Sequence, residues 1–301
     1  MSISKSHRLL CLFLAGLLGV CLLGFGQDFD KIPVQAVKIT ESIYMIVGGG
    51  GNIGVSVGPD GVLLIDSQFS ELLEKIKAEI AKISSGPIRI VGNTNWHYDH
   101  VRGNGPLAKA GALIIAHEKA RERMTAEQSF PELGQTSPPY TEAALPAVTF
   151  RESLTLHFNG DEVQILHLPN AHSDADLVFH FRKANVIHTG DVCFSGMYPF
   201  IDVGHGGSSA GMIAALDKIA ALIDSGTKVI PGHGPLTDRK GVVAFRDMLA
   251  AVRDRVAKLI QEGKTLEQVV AAKPTADFDK SMAPAIPADM FVKIVYGDLK
   301  K

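Results

Sequence analysis

The sequence predicts an α/β fold in four layers: two β-sheets packed together, with helices on both outer sides. Three observations lead to it. Short β-branched runs bounded by turn residues recur in both halves of the chain. Amphipathic helical stretches follow the strands in each half. The residues able to bind a metal fall where apolar strands give way to tight turns. The length of 301 residues, 46% of them hydrophobic, suffices for one large core or two modest ones.

The elements follow in order. Val34 to Ile39, Ile43 to Val47, Ile53 to Val57 and Val62 to Ile65 read as strands. Between them lie the turns Gly48-Gly49-Gly50-Gly51-Asn52 and Gly58-Pro59-Asp60-Gly61. The glycine run reads equally as a hairpin turn or as a flap over a site. Phe69, Leu72, Leu73, Ile76, Ile80 and Ile83 share one helical face, and Gly86-Pro87 ends that helix. Strand Ile88–Val91 follows, then a helix near Pro106–Ala110, a strand Ala112–Ala116 and a helix from Glu118. Residues Ser129 to Pro146 hold four prolines and no period, which predicts a long loop. Strands resume at Leu154–Phe158, Val163–Leu168, Leu177–Phe181 and Val186–His188. A helix Met212–Ile223, a strand Lys228–Ile230 and an amphipathic helix from Phe245 to Ile260 complete the reading.

The first residues differ from the rest. Lys5, His7 and Arg8 precede an apolar run from Leu9 to Phe25, and Gly24-Phe25-Gly26 offers a small-x-small cleavage site. This is the pattern of a secretory signal peptide over residues 1–26, with 27–301 as one mature domain. The competing reading is a membrane anchor, since the run approaches the length of a span. Cleavage implies a periplasmic or secreted protein with no stable membrane association. Cys193 is then alone in the mature chain, which excludes an internal disulfide. A formal charge of −2 argues against a nucleic-acid partner. Nothing in the sequence specifies an oligomeric state.

The chemistry gathers in five turn contexts. "NTNWHYDH" carries Asn95, His97, Asp99 and His100; "PNAHSDAD" carries His172; "HTGD" carries His188 and Asp191; "IDVGHGGSS" carries His205; "PGHGP" carries His233. A lone histidine is usually a hydrogen-bonded core or surface residue, and His117, His157, His167 and His180 read that way. His188, beside Asp191, reads as a support for the site. His205 reads as a surface loop residue or as a substrate contact. Trp96 and Tyr98 alternate with the metal-binding positions and read as packing residues.

Together these motifs resemble the metallo-β-lactamase superfamily, whose pattern is H-x-H-x-D-H, then a distant His, a Gly-Asp and a Gly-His. The resemblance spans about Val34 to Asp238 and implies an αββα metallo-β-lactamase fold with a binuclear zinc site. One ion takes His97 and His172 with Asp191 bridging; the other takes Asp99, His100, His233 and Asp191. Imidazole and carboxylate suit Zn²⁺, which lowers the pKa of a bound water to roughly 7. Asp99 is the implied catalytic residue, orienting that water and relaying its proton. Asn95 stands where the family's first histidine stands. An amide oxygen is a weak donor, so Asn95 is expected to make a weak metal or water contact. One zinc is then tight and the second weaker.

The resemblance implies a small-molecule substrate, with β-lactams and other cyclic amides first. A lactonase or a glyoxalase II-like thioesterase is the alternative. A catalytically impaired metal-binding protein on the same fold is the alternative of another class. Some β-lactamases hold the substrate carboxylate with a lysine three residues after the Asp191 position, where this chain has Phe194. Intact-mass analysis of a periplasmic fraction should find the protein without about its first 26 residues; a chain retaining them would show an anchor instead.

Overall fold

The structure, a computed structural model, describes residues 28–301; the leader expected at 1–26 lies outside the described residues. Strands β1 (Gln35–Lys38), β2 (Ile43–Val47), β3 (Ile53–Gly58) and β4 (Gly61–Ile65) form an antiparallel meander. Helix α1 (Leu73–Ala81) crosses to β5 (Ile88–Gly92), which lies parallel to β4. Helices α2 (Tyr98–Val101) and α3 (Asn104–Lys109) lead to β6 (Leu113–His117) and then α4 (Glu118–Met124). A small hairpin of β7 (Gln128–Phe130) and β8 (Gln135–Ser137) precedes β9 (Val148–Phe150). Strand β9 joins β6 and completes a seven-stranded sheet in the order β1-β2-β3-β4-β5-β6-β9.

The second sheet starts with β10 (Ser153–Phe158), β11 (Asp161–His167), β12 (Leu177–Phe181) and β13 (Val186–His188), all antiparallel. Helix α5 (Ser209–Leu222) crosses to β14 (Lys228–Ile230), parallel to β13, and β15 (Thr237–Asp238) closes this six-stranded sheet. Helices α6 (Arg239–Gln261), α7 (Leu266–Ala271) and α8 (Ala288–Leu299) follow.

Burial confirms the four layers. Strand β4 is buried along its whole length, and its side chains divide by alternation. Val62 and Leu64 pack with Leu73, Ile76 and Ile80 of α1 on the outer side. Leu63 and Ile65 pack inward with Ile165, Leu177, Phe179 and Phe181 of the second sheet. On the far side Val178, Ile187 and Val229 meet Met212, Leu216 and Ile219 of α5 and Val242 and Leu249 of α6. A strand covered on both faces must be apolar throughout, which is why these runs do not alternate with polar residues.

The structure departs from the sequence expectation in three places. The 129–146 stretch is not a bare loop: β7 and β8 pair across it, with Gly134 at φ 62° in the turn. Its prolines erase any period, so short-range pairing leaves no pattern to read. The helix predicted from Phe69 begins as a 3₁₀ turn, Ser70–Leu72, and becomes α-helical only at Leu73. The chain after Ile260, which carries no long period, forms α7 and α8; α7 opens on a capping box between Thr265 and Gln268.

The sheet interface tolerates little added volume. A Cβ on Gly92, at the end of β5, would lie 2.5 Å from the Phe179 ring. Gly92→Ala should therefore destabilise the protein by about 1–3 kcal/mol through overpacking. Urea denaturation checks this, and Phe179→Leu in the same chain should recover part of the loss. Equal stability of Gly92→Ala and wild type would mean that the sheets part more easily than their packing implies.

Candidate metal centre

The turn after β5 carries Asn93 to His97, and α2 then carries Asp99 and His100. His172 lies in the connection between β11 and β12, Asp191 in the 3₁₀ turn Gly190–Val192 after β13, and His233 just after β14. Both sheets thus deliver their residues to one edge. All six residues singled out from the motifs are buried.

They form two groups whose donor atoms lie within 4.8 Å of one another: His97, His172 and Asp191, and Asp99, His100 and His233. Asp191 joins them. Its Oδ2 lies 3.1 Å from His100 Nε2 and 3.5 Å from His172 Nε2, and its Oδ1 lies 3.4 Å from His233 Nε2. Asp99 Oδ2 lies 3.3 Å from His233 Nε2.

Outer carboxylates aim the imidazoles. His100 Nδ1 lies 2.8 Å from Asp66 Oδ2, His172 Nδ1 3.2 Å from Asp176 Oδ1, and His97 Nε2 2.8 Å from Asp202 Oδ2. A carboxylate only accepts, so each of these ring nitrogens carries the hydrogen and the other keeps its lone pair. Asp66 also accepts from the Thr94 N–H and hydroxyl, and it sits at φ 69°, a costly backbone for a non-glycine residue.

These residues fit a pair of divalent metals. Asp99 Oδ2, Asp191 Oδ1, His100 Nε2 and His172 Nε2 are buried and make no hydrogen bond. Such atoms cost free energy unless something compensates them, and nitrogen and oxygen donors at this spacing suit zinc. Burial works against the charge of Asp191, but His100, His233 and His172 outweigh it and hold the carboxyl well below its usual range. Burial likewise opposes charge on His100, yet Asp191, Asp99 and Asp66 raise its pKa well above the ordinary value. The pocket is one in which opposite charges require each other.

Other expected positions resolve differently. Asn95 Oδ1 accepts from the His97 backbone N–H at 2.9 Å, and its Nδ2 is buried without a hydrogen-bond partner. One lone pair of the amide oxygen is thereby engaged by the backbone, which leaves Asn95 a weaker donor than an imidazole in its place. His188 braces the turn before Asp191. Its Nε2 donates to the Asn52 carbonyl at 3.0 Å and its Nδ1 accepts from the Gly190 N–H at 3.1 Å, while burial pushes its pKa down. His205 is not on a surface loop; it is buried, with Nδ1 2.7 Å from Asp202 Oδ1.

The glycine run connects β2 to β3 and is a hairpin turn. Its last member packs on the site, for a Cβ on Gly51 would lie 2.3 Å from the His100 ring. His117 and His167 stack on each other with centroids 3.8 Å apart, outside the site.

Aromatic rings wall the centre. Phe194 stacks on His233 at 5.3 Å, Phe130 meets His97 edge-on at 5.3 Å, and Phe200 lies 6.1 Å from His97. Trp96 stacks on Phe130, in keeping with a packing role.

Sequence reasoning missed Asp66, Asp176 and Asp202. Asp66 ends the apolar run of β4, and Asp176 follows His172 by four residues, so both left a faint signal. Asp202 left none, being 105 residues from its partner His97.

The family profile described as the metallo-beta-lactamase superfamily matches residues 46–233. A linear primary-alkylsulfatase of Pseudomonas sp. (strain ATCC 19151) is 25% identical over 254 residues, covering 70% of this chain and 48% of that protein. A hydroxyacylglutathione hydrolase of Pelagibacter ubique (strain HTCC1062) is 28% identical over 148 residues, covering 48% of this chain and 52% of that one. The chain thus spans about half the length of the curated relatives it matches.

Among solved structures, a metallo-beta-lactamase from Pontibacter korlensis aligns with a TM-score of 0.59 at 16% identity, covering 72% of this chain and 99% of that one. A stereoselective inverting sec-alkylsulfatase from Pseudomonas sp. aligns with a TM-score of 0.65 at 16% identity, covering 87% and 50%. Both likenesses are of fold.

The shared position of Asp191 generates a prediction. Asp191→Ala should reduce bound zinc in both groups and leave at most about a hundredth of wild-type activity, a loss of roughly 2.7 kcal/mol or more. Metal content measured with rates checks it. A variant that keeps its metal would remove Asp191 from the bridging role.

Proposed function

The chain belongs to the metallo-beta-lactamase superfamily, and from that premise we propose that it is a binuclear zinc hydrolase of small molecules, exported and processed at its leader. The observation that carries this reading is Asp191 Oδ2, 3.1 Å from His100 Nε2 in one donor group and 3.5 Å from His172 Nε2 in the other. We assign His97, His172 and Asp191 to the first ion, and Asp99, His100, His233 and Asp191 to the second. Zinc held there supplies acidification of a water, to a pKa of roughly 7, and polarisation of the scissile bond.

The chain's own residues do the rest. Asp99, whose Oδ2 lies 3.3 Å from His233 Nε2 at the second group, would orient the attacking water and accept its proton. Asp66 and Asp176 keep His100 and His172 from rotating, which preserves the geometry between turnovers. Phe130, Phe194 and Phe200 pack against the imidazoles and exclude bulk water from the donors.

Two substrate readings remain distinct. Cyclic amides, β-lactams first, are the expectation from the motif pattern. Phe194 favours the other, an ester or thioester with an apolar acyl group. It is buried and stacked on His233, at the position where some β-lactamases hold the substrate carboxylate with a lysine. The hydroxyacylglutathione hydrolase among the relatives supports a thioester, while the linear primary-alkylsulfatase supports an ester of another kind, a sulfate. The intact donor groups count against an impaired metal-binding protein.

The test is a panel of nitrocefin, a lactone, an acyl thioester, aryl esters and a linear alkyl sulfate, assayed on zinc-loaded protein. Esters or thioesters should turn over fastest, with activity abolished by a chelator and restored by zinc. Zinc binding with no turnover of any member would leave the non-catalytic reading. Chelator competition should also resolve a tight ion at the second group and a looser one at the first, where Asn95 withholds a donor. Asn95→His should tighten the looser step about tenfold or more, or roughly 1.4 kcal/mol. Two equally tight ions in the wild type would remove Asn95 as the cause of any difference.

A further inference from the structure

We propose that Asp202 is a positioning residue that makes His97 a stronger metal donor and so offsets part of what Asn95 does not supply; this rests on the zinc-centre reading above. Asp202 lies 105 residues from His97 in the chain, yet its Oδ2 is 2.8 Å from His97 Nε2. Both side chains are buried, at 5% and 3% exposure. Because a carboxylate only accepts, His97 Nε2 carries the hydrogen and Nδ1 keeps the lone pair for a cation. A charged acceptor behind an imidazole also raises the basicity of the nitrogen that binds metal.

Asp202 is itself held from several sides. His205 Nδ1 lies 2.7 Å from Oδ1 and 2.9 Å from Oδ2, and the His205 backbone N–H donates to Oδ1 at 3.1 Å. The His205 ring is fixed in turn by edge contacts with Trp96 at 5.0 Å and by Phe130 at 5.2 Å. The Asp202 backbone N–H donates to the His172 carbonyl at 2.8 Å. One residue therefore touches both histidines of the first donor group, through its side chain in one case and its backbone in the other.

The consequence falls on one ion. The second group takes its orientation from Asp66, which Asp202 does not contact in any hydrogen bond or ion pair. The first group lacks an imidazole at Asn95, so each remaining donor carries more of its affinity. The pair His205–Asp202 is thus a support dedicated to the weaker site. It also accounts for a histidine buried beside the centre without belonging to either donor group.

The experiment is zinc titration with chelator competition on the wild type, Asp202→Asn, His205→Leu and the double variant Asp202→Asn with Asn95→His. Asp202→Asn keeps the shape and removes the charge. It should weaken the looser step by about 10- to 100-fold and leave the tight step within about twofold. His205→Leu, which loosens the carboxylate without removing it, should give a smaller loss of the same step. Asn95→His should restore the looser step in the Asp202→Asn background, a rescue that no general folding defect permits. A folded Asp202→Asn with both steps unchanged, or both weakened alike, overturns the proposal. Where Asp202→Asn fails to fold, an unchanged looser step in His205→Leu overturns it equally. Absence of zinc binding by the wild type overturns the zinc-centre reading and this proposal with it, whereas two sequential steps indifferent to Asp202 overturn this proposal alone.

Discussion

The structure depends on one buried carboxylate. Asp191 stands at the end of β13 with His100 and His172 on one oxygen and His233 on the other. A charge in that position is tolerable only among opposite charges, since removing an ion from water costs several kcal/mol. The compensating groups come from both sheets: His100 from α2, which follows β5 of the first sheet, and His172 and His233 from turns of the second sheet. Charge balance at the edge and apolar packing between Leu63, Ile65, Ile165 and Phe179 therefore act on the same interface. The sheets cannot slide without separating the donors, and the donors cannot separate without exposing uncompensated charge.

Around that carboxylate a ring of further carboxylates sets direction. Asp66, Asp176 and Asp202 each fix one imidazole of the centre. Asp66 does so from a left-handed backbone, a strain that the surrounding hydrogen bonds from Thr94 and His100 sustain. Asp202 keeps its charge although burial opposes it, because hydrogen bonds from His205 and His97 outweigh the loss of water and hold its carboxyl low. The metal donors are thus only as well placed as acids that never reach the centre.

The aromatic wall gives the centre its other property. Phe130 belongs to β7, in the proline-rich stretch between β6 and β9 of the first sheet, and its ring contacts Trp96, His97 and His205 together. A segment without helical or strand periodicity thereby covers the donors from outside both sheets. Phe194 completes the wall from the turn after Asp191, with its backbone bridged to His233. Water exclusion and donor placement are contributed by neighbouring residues of the same turns, so the sequence that specifies one also constrains the other.

By itself the sequence determined the layers, and it named the six candidate donors that the fold brings together. Strand runs such as Gly61–Ile65 and Leu177–Phe181 were legible because strands buried on both faces are rich in apolar residues. His97, Asp99, His100, His172, Asp191 and His233 were legible because short motifs following apolar runs carry them, and together those motifs match one family pattern. The Asn95 amide oxygen accepts from the His97 N–H two residues on, a local turn that sets the entry to α2. Tertiary structure alone decided the rest. His205 sits in a glycine-rich turn that reads as surface, yet Trp96, Phe130 and Asp202 bury it. Asp202 supports His97 from 105 residues away. Periodicity and turn chemistry act over a few residues and so report local structure; which acid meets which imidazole depends on how two sheets pack, and that is fixed only when the whole chain has folded.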